Sequence, residues 1–103
     1  MVKLICYCPP EAEELILQTL GDLGVGQFGL YDHWSLSSEV TETFRPLEGA
    51  NPNKGKLGRL SRVQSRRLEF QCAKADYLRL VEAIKQVHPY QTPAIEVWAL
   101  LYP

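Results

Sequence analysis

With 103 residues, 46% of them hydrophobic and 22% charged, the chain has room for one core but not for two ordinary domains. A formal net charge of -1 supplies no global field that would gather nucleic acid or an anionic membrane surface. The opening MVKLICYCPPEAEEL has a single lysine, a short apolar run and then acids. This is the pattern of neither a secretory signal nor a spanning helix, so the expected location is cytoplasmic, with no membrane partner.

Taken in chain order, Val2, Leu4, Cys6 and Cys8 alternate with Ile5 and Tyr7, which predicts a strand over 2–8. Pro9 and Pro10 end it, and Pro10 can open a helix because its missing N–H costs nothing there. Glu11, Glu13 and Glu14 suit the first turn of that helix. Ala12, Leu15, Ile16, Thr19, Leu20 and Leu23 then recur at three- and four-residue steps as one apolar stripe, and Gly24 ends it.

The run VGQFGLYDHW (25–34) reads as a second strand with glycines at points of close backbone approach. From Ser35 to about Leu60 no period is sustained, so a long polar excursion is expected, of the kind that carries function. RRLEFQC (66–72) alternates again, with Leu68, Phe70 and Cys72 inward. Residues 73–87 carry Tyr77, Leu80, Val81, Ile84 and Val87 on one helical stripe. After HPYQTP, AIEVWALLY (94–102) reads as the last strand.

This order predicts a ferredoxin-like α+β sandwich, βαββαβ, with a four-stranded antiparallel sheet and two helices on one face. The first and third strands would be the central pair, placing Cys72 opposite the start of the first strand and away from Cys6 and Cys8. An odd cysteine count without zinc-knuckle spacing points the same way: buried thiols and no disulfide. The sheet's other face would stay open, covered by Ile5, Tyr7, Leu100 or Leu101, and Tyr102. Such a surface favours a homo-oligomer, a dimer or a trimer.

Three segments, GVGQFGLYDHWS (24–35), FRPLEGANPNKGKLG (44–58) and HPYQTPAI (88–95), carry a family pattern. They resemble the inserted domain of bacterial Nif-three-like (NGG-interacting-factor-like, YqfO-type) proteins, with its G-x-G-x-x-G-x-Y, F-x-P-x-x-G-A-x-P-x-x-G and H-P-Y-x-x-P-A runs. The resemblance implies a CutA-like fold, since CutA, the divalent-cation tolerance protein, has H-P-Y-x-x-P at the matching place. It covers nearly the whole chain and implies one domain over 1–103. The family's separate metal-binding part, rich in histidine and acids, has no counterpart in this chain, so neither two-metal hydrolysis nor a GTP-cyclohydrolase activity carries over. Where the family has Y-x-x-C-S-F and then G-x-G, this chain has Tyr31-Asp32-His33-Trp34-Ser35-Leu36 and then Val40-Thr41-Glu42-Thr43.

The candidate site residues are Tyr31, His33, Phe44, Arg45, Glu48, Asn51, His88 and Tyr90. The 44–52 stretch combines rigid turns with an aromatic ring, an anion-binding guanidinium and a carboxylate, and GANPNKG offers backbone N–H groups to an anion. It lacks the ending and context of a Walker motif. His33 and His88 are the only histidines, and a metal site would need further ligands from Asp32, Glu48 or a cysteine. HPYQTP reads mainly as a bend in which Pro89 and Pro93 fix backbone angles while His88 and Tyr90 hydrogen-bond locally.

Residues 54–67 hold six basic side chains and no acid, but lack the aromatic interleaving of a nucleic-acid module. No nucleophile–base pair emerges. The expected function is therefore a non-catalytic, homo-oligomeric regulatory or binding domain for a small anionic ligand, a metal ion or a protein partner. Two alternatives stand beside it. One is a metal-dependent hydrolase using His33 and His88, for which a divalent metal would be the cofactor. The other is a nucleic-acid-binding module using 54–67.

Overall fold

A computed structural model describes residues 1–102 of the chain. Its elements are β1 (Val2–Cys8), α1 (Glu13–Asp22), β2 (Leu36–Phe44), β3 (Ser61–Cys72), α2 (Tyr77–Val87) and β4 (Ile95–Ala99), with a 3-10 turn leading into each helix. The sheet order is β2-β3-β1-β4, and every neighbouring pair is antiparallel. Both helices cover one face, giving the ferredoxin-like α+β sandwich that the alternating periods imply.

The core follows from the two periods. Leu4, Cys6 and Cys8 of β1 and Leu68, Phe70 and Cys72 of β3 point to the helical face, where Ile16 and Leu20 of α1 and Leu80 and Ile84 of α2 close over them. Cys72 pairs with Val2 in the register, so the three thiols stay apart and all are free. Burial pushes the Cys6 thiol up to about 12 and the Cys8 thiol up to about 11, which leaves both as small hydrophobes and not as nucleophiles.

Four boundaries differ from the sequence expectation. Residues 25–34 are not a strand: Gly24, Gly26 and Gly29 take positive φ values of 93, 87 and 60°, which no strand accommodates. Strand two lies instead at Leu36–Phe44, inside the expected excursion, and β3 begins five residues earlier than expected, at Ser61. The two pair from Leu36↔Glu69 to Phe44↔Ser61 as an arm running past the end of β1, and the molecule is 47 Å long. At the helices, Leu15 and Leu23 are exposed, so the α1 stripe is narrower than its apolar count. The last strand stops at Ala99.

The open sheet face is also covered differently. Leu101 and Tyr102 project into solvent. Ile5 is nevertheless fully buried there, under a lattice of long polar side chains. Lys3 bonds Glu69 at 3.3 Å, Tyr7 donates to Glu96 at 2.7 Å, and the Arg67 guanidinium lies 5.9 Å from the Trp98 ring centre. The stems and rings of these side chains shield the isoleucine.

Candidate functional site

Pro9 stops β1 opposite the middle of β3, so the Ser61–Ser65 half of β3 has no β1 partner. The 88–94 turn lies beside that half, with the Tyr90 hydroxyl next to Ser65. His88, only 8% exposed, anchors the turn. Its Nε2–H donates to the Tyr7 carbonyl at 2.7 Å, and its Nδ1 accepts the Tyr90 backbone N–H at 3.0 Å. A carbonyl on one side and an amide N–H on the other set Nε2 as donor and Nδ1 as acceptor and occupy both nitrogens. The hexapeptide is thus a bend held by a histidine strut.

The 45–60 loop folds back onto this turn. Gly58 N–H donates to the Pro46 carbonyl at 2.8 Å, Asn51 N–H donates to Gln91 Oε1 at 3.1 Å, and Lys54 Nζ pairs with Glu11 at 2.8 Å. Gly55 is required where the loop crosses the arm: its φ is 83°, and a Cβ there would lie 2.8 Å from Ser61 Oγ and 3.1 Å from the Phe44 ring. Between loop, arm and turn lies a predominantly apolar cavity of about 290 Å³. Phe44, Pro46, Pro52 and Tyr90 supply its hydrophobic walls, and Glu42, Arg45, Asn51, Asn53, Lys54, Gln91 and Thr92 its polar groups.

The electrostatics of this cavity are uneven. Arg45 is exposed and, among the described residues, has no carboxylate within ion-pair distance, whereas Lys54 is held by Glu11, which raises the lysine pKa and lowers that of Glu11. Glu42 Oε1, Tyr90 Oη and Ser65 Oγ are buried without a hydrogen-bond partner in good geometry. Burial first, and then the Glu42 carboxylate, push the Tyr90 phenol pKa up.

Of the candidate residues, the fold brings Phe44, Arg45, Asn51 and Tyr90 together around the cavity, with His88 directly behind Tyr90. Glu48 is exposed and does not line the cavity. Tyr31 and His33 stand elsewhere, beyond the C-terminal end of α1, because 25–34 is a loop and not a strand running into the arm. A single groove over 31–52 therefore does not form. Glu42, Lys54 and Gln91 were not expected. The one signal that could have found Glu42 is its two-residue spacing from Phe44.

His33 has a local task instead. At φ 57° its ring lies against Gly21, where a Cβ would come within 1.9 Å of it, and its nitrogens face Asp22 at 3.1 Å and Asp32 at 3.2 Å. Hydrogen bonding to Asp22, and then to Asp32, raises the His33 pKa above its ordinary 6.5, while His33 lowers Asp22 below 3.8. A raised histidine stabilises fully below its unfolded value, and a lowered aspartate fully above its own. The contact therefore stands in full between about pH 3.8 and 6.5. It fades as pH rises through the raised histidine value or falls through the lowered aspartate value. The thermal midpoint of the native chain should exceed that of His33→Ala within this window, and the difference should shrink by pH 9. A pH-independent difference would contradict the bridge.

This placement bears on the two alternatives. His88 is tied to the Cys8 end of β1, whereas His33 is tied to the far end of α1, a ten-residue helix about 15 Å long. The two rings cannot share one ion within the chain. Among the described residues, no three His, Cys, Asp or Glu side chains converge as a metal site. In the basic stripe, Lys54 pairs with Glu11, Arg66 with Glu13 and Glu39, and Arg67 with Glu69, so half of its charge is neutralised internally. Among the described residues, no helix is long and apolar enough to cross a membrane.

No family model matches the chain. The chain is 38% identical over 96 residues to the "GTP cyclohydrolase 1 type 2 homolog" of Bacillus subtilis, a match covering 93% of this chain and 26% of that protein. The structure of a Bacillus cereus protein related to NIF3 superposes with a TM-score of 0.84 at 33% identity, over 98% of this chain and 26% of that one. CutA1 from Pyrococcus horikoshii superposes with a TM-score of 0.76 at 17% identity, over 100% of this chain and 86% of that one; at this identity the likeness is one of fold. The chain spans about a quarter of the length of the curated relatives it matches.

Proposed function

We propose, from the premise that this chain is a CutA-like domain of the kind found in NIF3-related proteins, that it acts as a non-catalytic, homo-oligomeric binding unit over 1–103 whose ligand is a small organic anion. The observation that carries this reading is Arg45, an unpaired guanidinium at a predominantly apolar cavity walled by Phe44 and Tyr90. A guanidinium offers forked donors to a carboxylate or phosphate, and aromatic walls accept a planar body. Asn51, Gln91 and Tyr90 complete the proposed contacts, and His88 serves by holding Tyr90 in place. Glu48, Tyr31 and His33 have no part in it.

A binding role suits the state of the reactive side chains. Both His88 nitrogens are engaged in the strut, and burial holds the cysteine thiols protonated. Free buried thiols suit a reducing cytoplasmic setting. Self-association has its own support: β2 and β4 are unpaired sheet edges, and Val97 and Trp98 of β4 are exposed beside Leu101.

Benzoate serves as the minimal probe. Isothermal titration should show binding in the millimolar range expected of a fragment. Arg45→Ala should weaken it about tenfold, the effect of one charge-assisted hydrogen bond. Equal affinity in native and variant protein would contradict the reading.

A further inference from the structure

We infer that the ligand carries an N–H donor opposite its anionic group, so that the class recognised is the amino-substituted aromatic acids. This rests on the preceding reading of the cavity as an anion site and specifies what else the ligand must carry. Glu42 and Phe44 are two residues apart on β2 and project to the same side of the arm, while Arg45 enters the cavity from the loop that follows. The cavity lining thus includes a carboxylate and a guanidinium as well as an aromatic wall.

The carboxylate is the unfinished part. Glu42 Oε1 is buried and has no donor. A buried acceptor left in this condition is costly, and a carboxylate cannot relieve the deficit by rotating, because it can only accept. The neighbouring hydroxyls of Tyr90 and Ser65 lie beside one another, and a small rotation lets each serve the other. Of the two lining cations, Lys54 is bound to Glu11 at 2.8 Å and Arg45 is the group assigned to the anion. A bound ligand can supply the missing hydrogen. A ligand whose carboxylate faces Arg45 and whose ring lies between Phe44 and Tyr90 can direct an amino group at Glu42.

The test compares 4-aminobenzoate with benzoate by isothermal titration of the whole chain. In native protein the amino group should tighten binding about tenfold, as a charge-assisted hydrogen bond would. That advantage should vanish in Glu42→Gln, an isosteric change, while benzoate binds the variant no more weakly than before. Equal affinities for the two probes in native protein, a comparison needing no variant, would overturn the inference and leave the anion site standing. So would an advantage that persists in Glu42→Gln. If neither probe binds, the anion site and the inference both fall.

Discussion

Replacing His88 with alanine is expected to lower the unfolding free energy by about 3 kcal/mol and to abolish benzoate binding. The ring is nearly fully buried, and both of its nitrogens have backbone partners, the Tyr7 carbonyl and the Tyr90 N–H. Alanine leaves that carbonyl and that N–H without the imidazole, at roughly 1–3 kcal/mol for each buried group left unmade. It also removes the ring packed at 4.9 Å from Tyr90, so the wall of the cavity loses its backing. His88→Gln can return a donor near the Nε2 position but not the Nδ1 acceptor, and should recover about half of the loss. Urea unfolding measures both variants. A loss below about 1 kcal/mol for His88→Ala would mean that Pro89 and Pro93 hold the bend without the strut.

Gly26→Ala should cost a comparable amount, about 3 kcal/mol, for a different reason. At φ 87° an alanine is strained by about 1–2 kcal/mol before any contact is considered. Its Cβ would also lie 2.3 Å from the Trp34 carbonyl oxygen and 2.6 Å from the Trp34 nitrogen, and these are backbone atoms that cannot swing aside. The Gly26 carbonyl accepts the Trp34 N–H at 3.0 Å, so the clash breaks the contact that closes the 25–34 loop and brings Phe28 onto Trp34 at 5.3 Å. Gly24→Ala provides the comparison. Its φ is 93° but a Cβ there meets nothing within 4 Å, so only the conformational cost of about 1–2 kcal/mol is expected. Equal losses for the two variants in urea unfolding would show that the loop repacks around Trp34.

The contrast between these glycines explains much of what the sequence hid. β1, α1 and α2 bury one face against the core, so Leu4, Ile16, Leu20, Leu80 and Ile84 leave a period that can be read. The arm strand β2 lies at a sheet edge and largely outside the helical cover, with Ser37, Ser38, Glu39, Thr41 and Thr43 all exposed. No hydrophobic alternation is imposed on it. Only its β-branched Val40, Thr41 and Thr43 mark it as a strand. In 25–34 the apolar residues Phe28, Leu30 and Tyr31 suggest a strand, yet all three are exposed and the glycines rule.

The site was legible in the same uneven way. Phe44, Arg45, Asn51 and Tyr90 belong to turn-rich motifs whose rigidity was visible in the prolines and glycines around them. Tyr31 and His33 were grouped with them by position along the chain, and folding separates the two groups. Glu42 escaped notice because a carboxylate on an edge strand ordinarily faces water. Its role depends on the 45–60 loop and the 88–94 turn meeting over it, a tertiary event that no local pattern encodes.

The central claim is that the cleft between the arm loop and the histidine-braced turn takes a small organic anion. Backbone amide NMR during a benzoate titration tests it most directly. The expected result is a saturable set of shifts confined to Phe44–Lys54 and Tyr90–Ala94, saturating at about tenfold higher benzoate in Arg45→Ala. Shifts centred instead on Gln27–Asp32 or spread along Lys56–Arg62, or no saturable shifts at all, would contradict it.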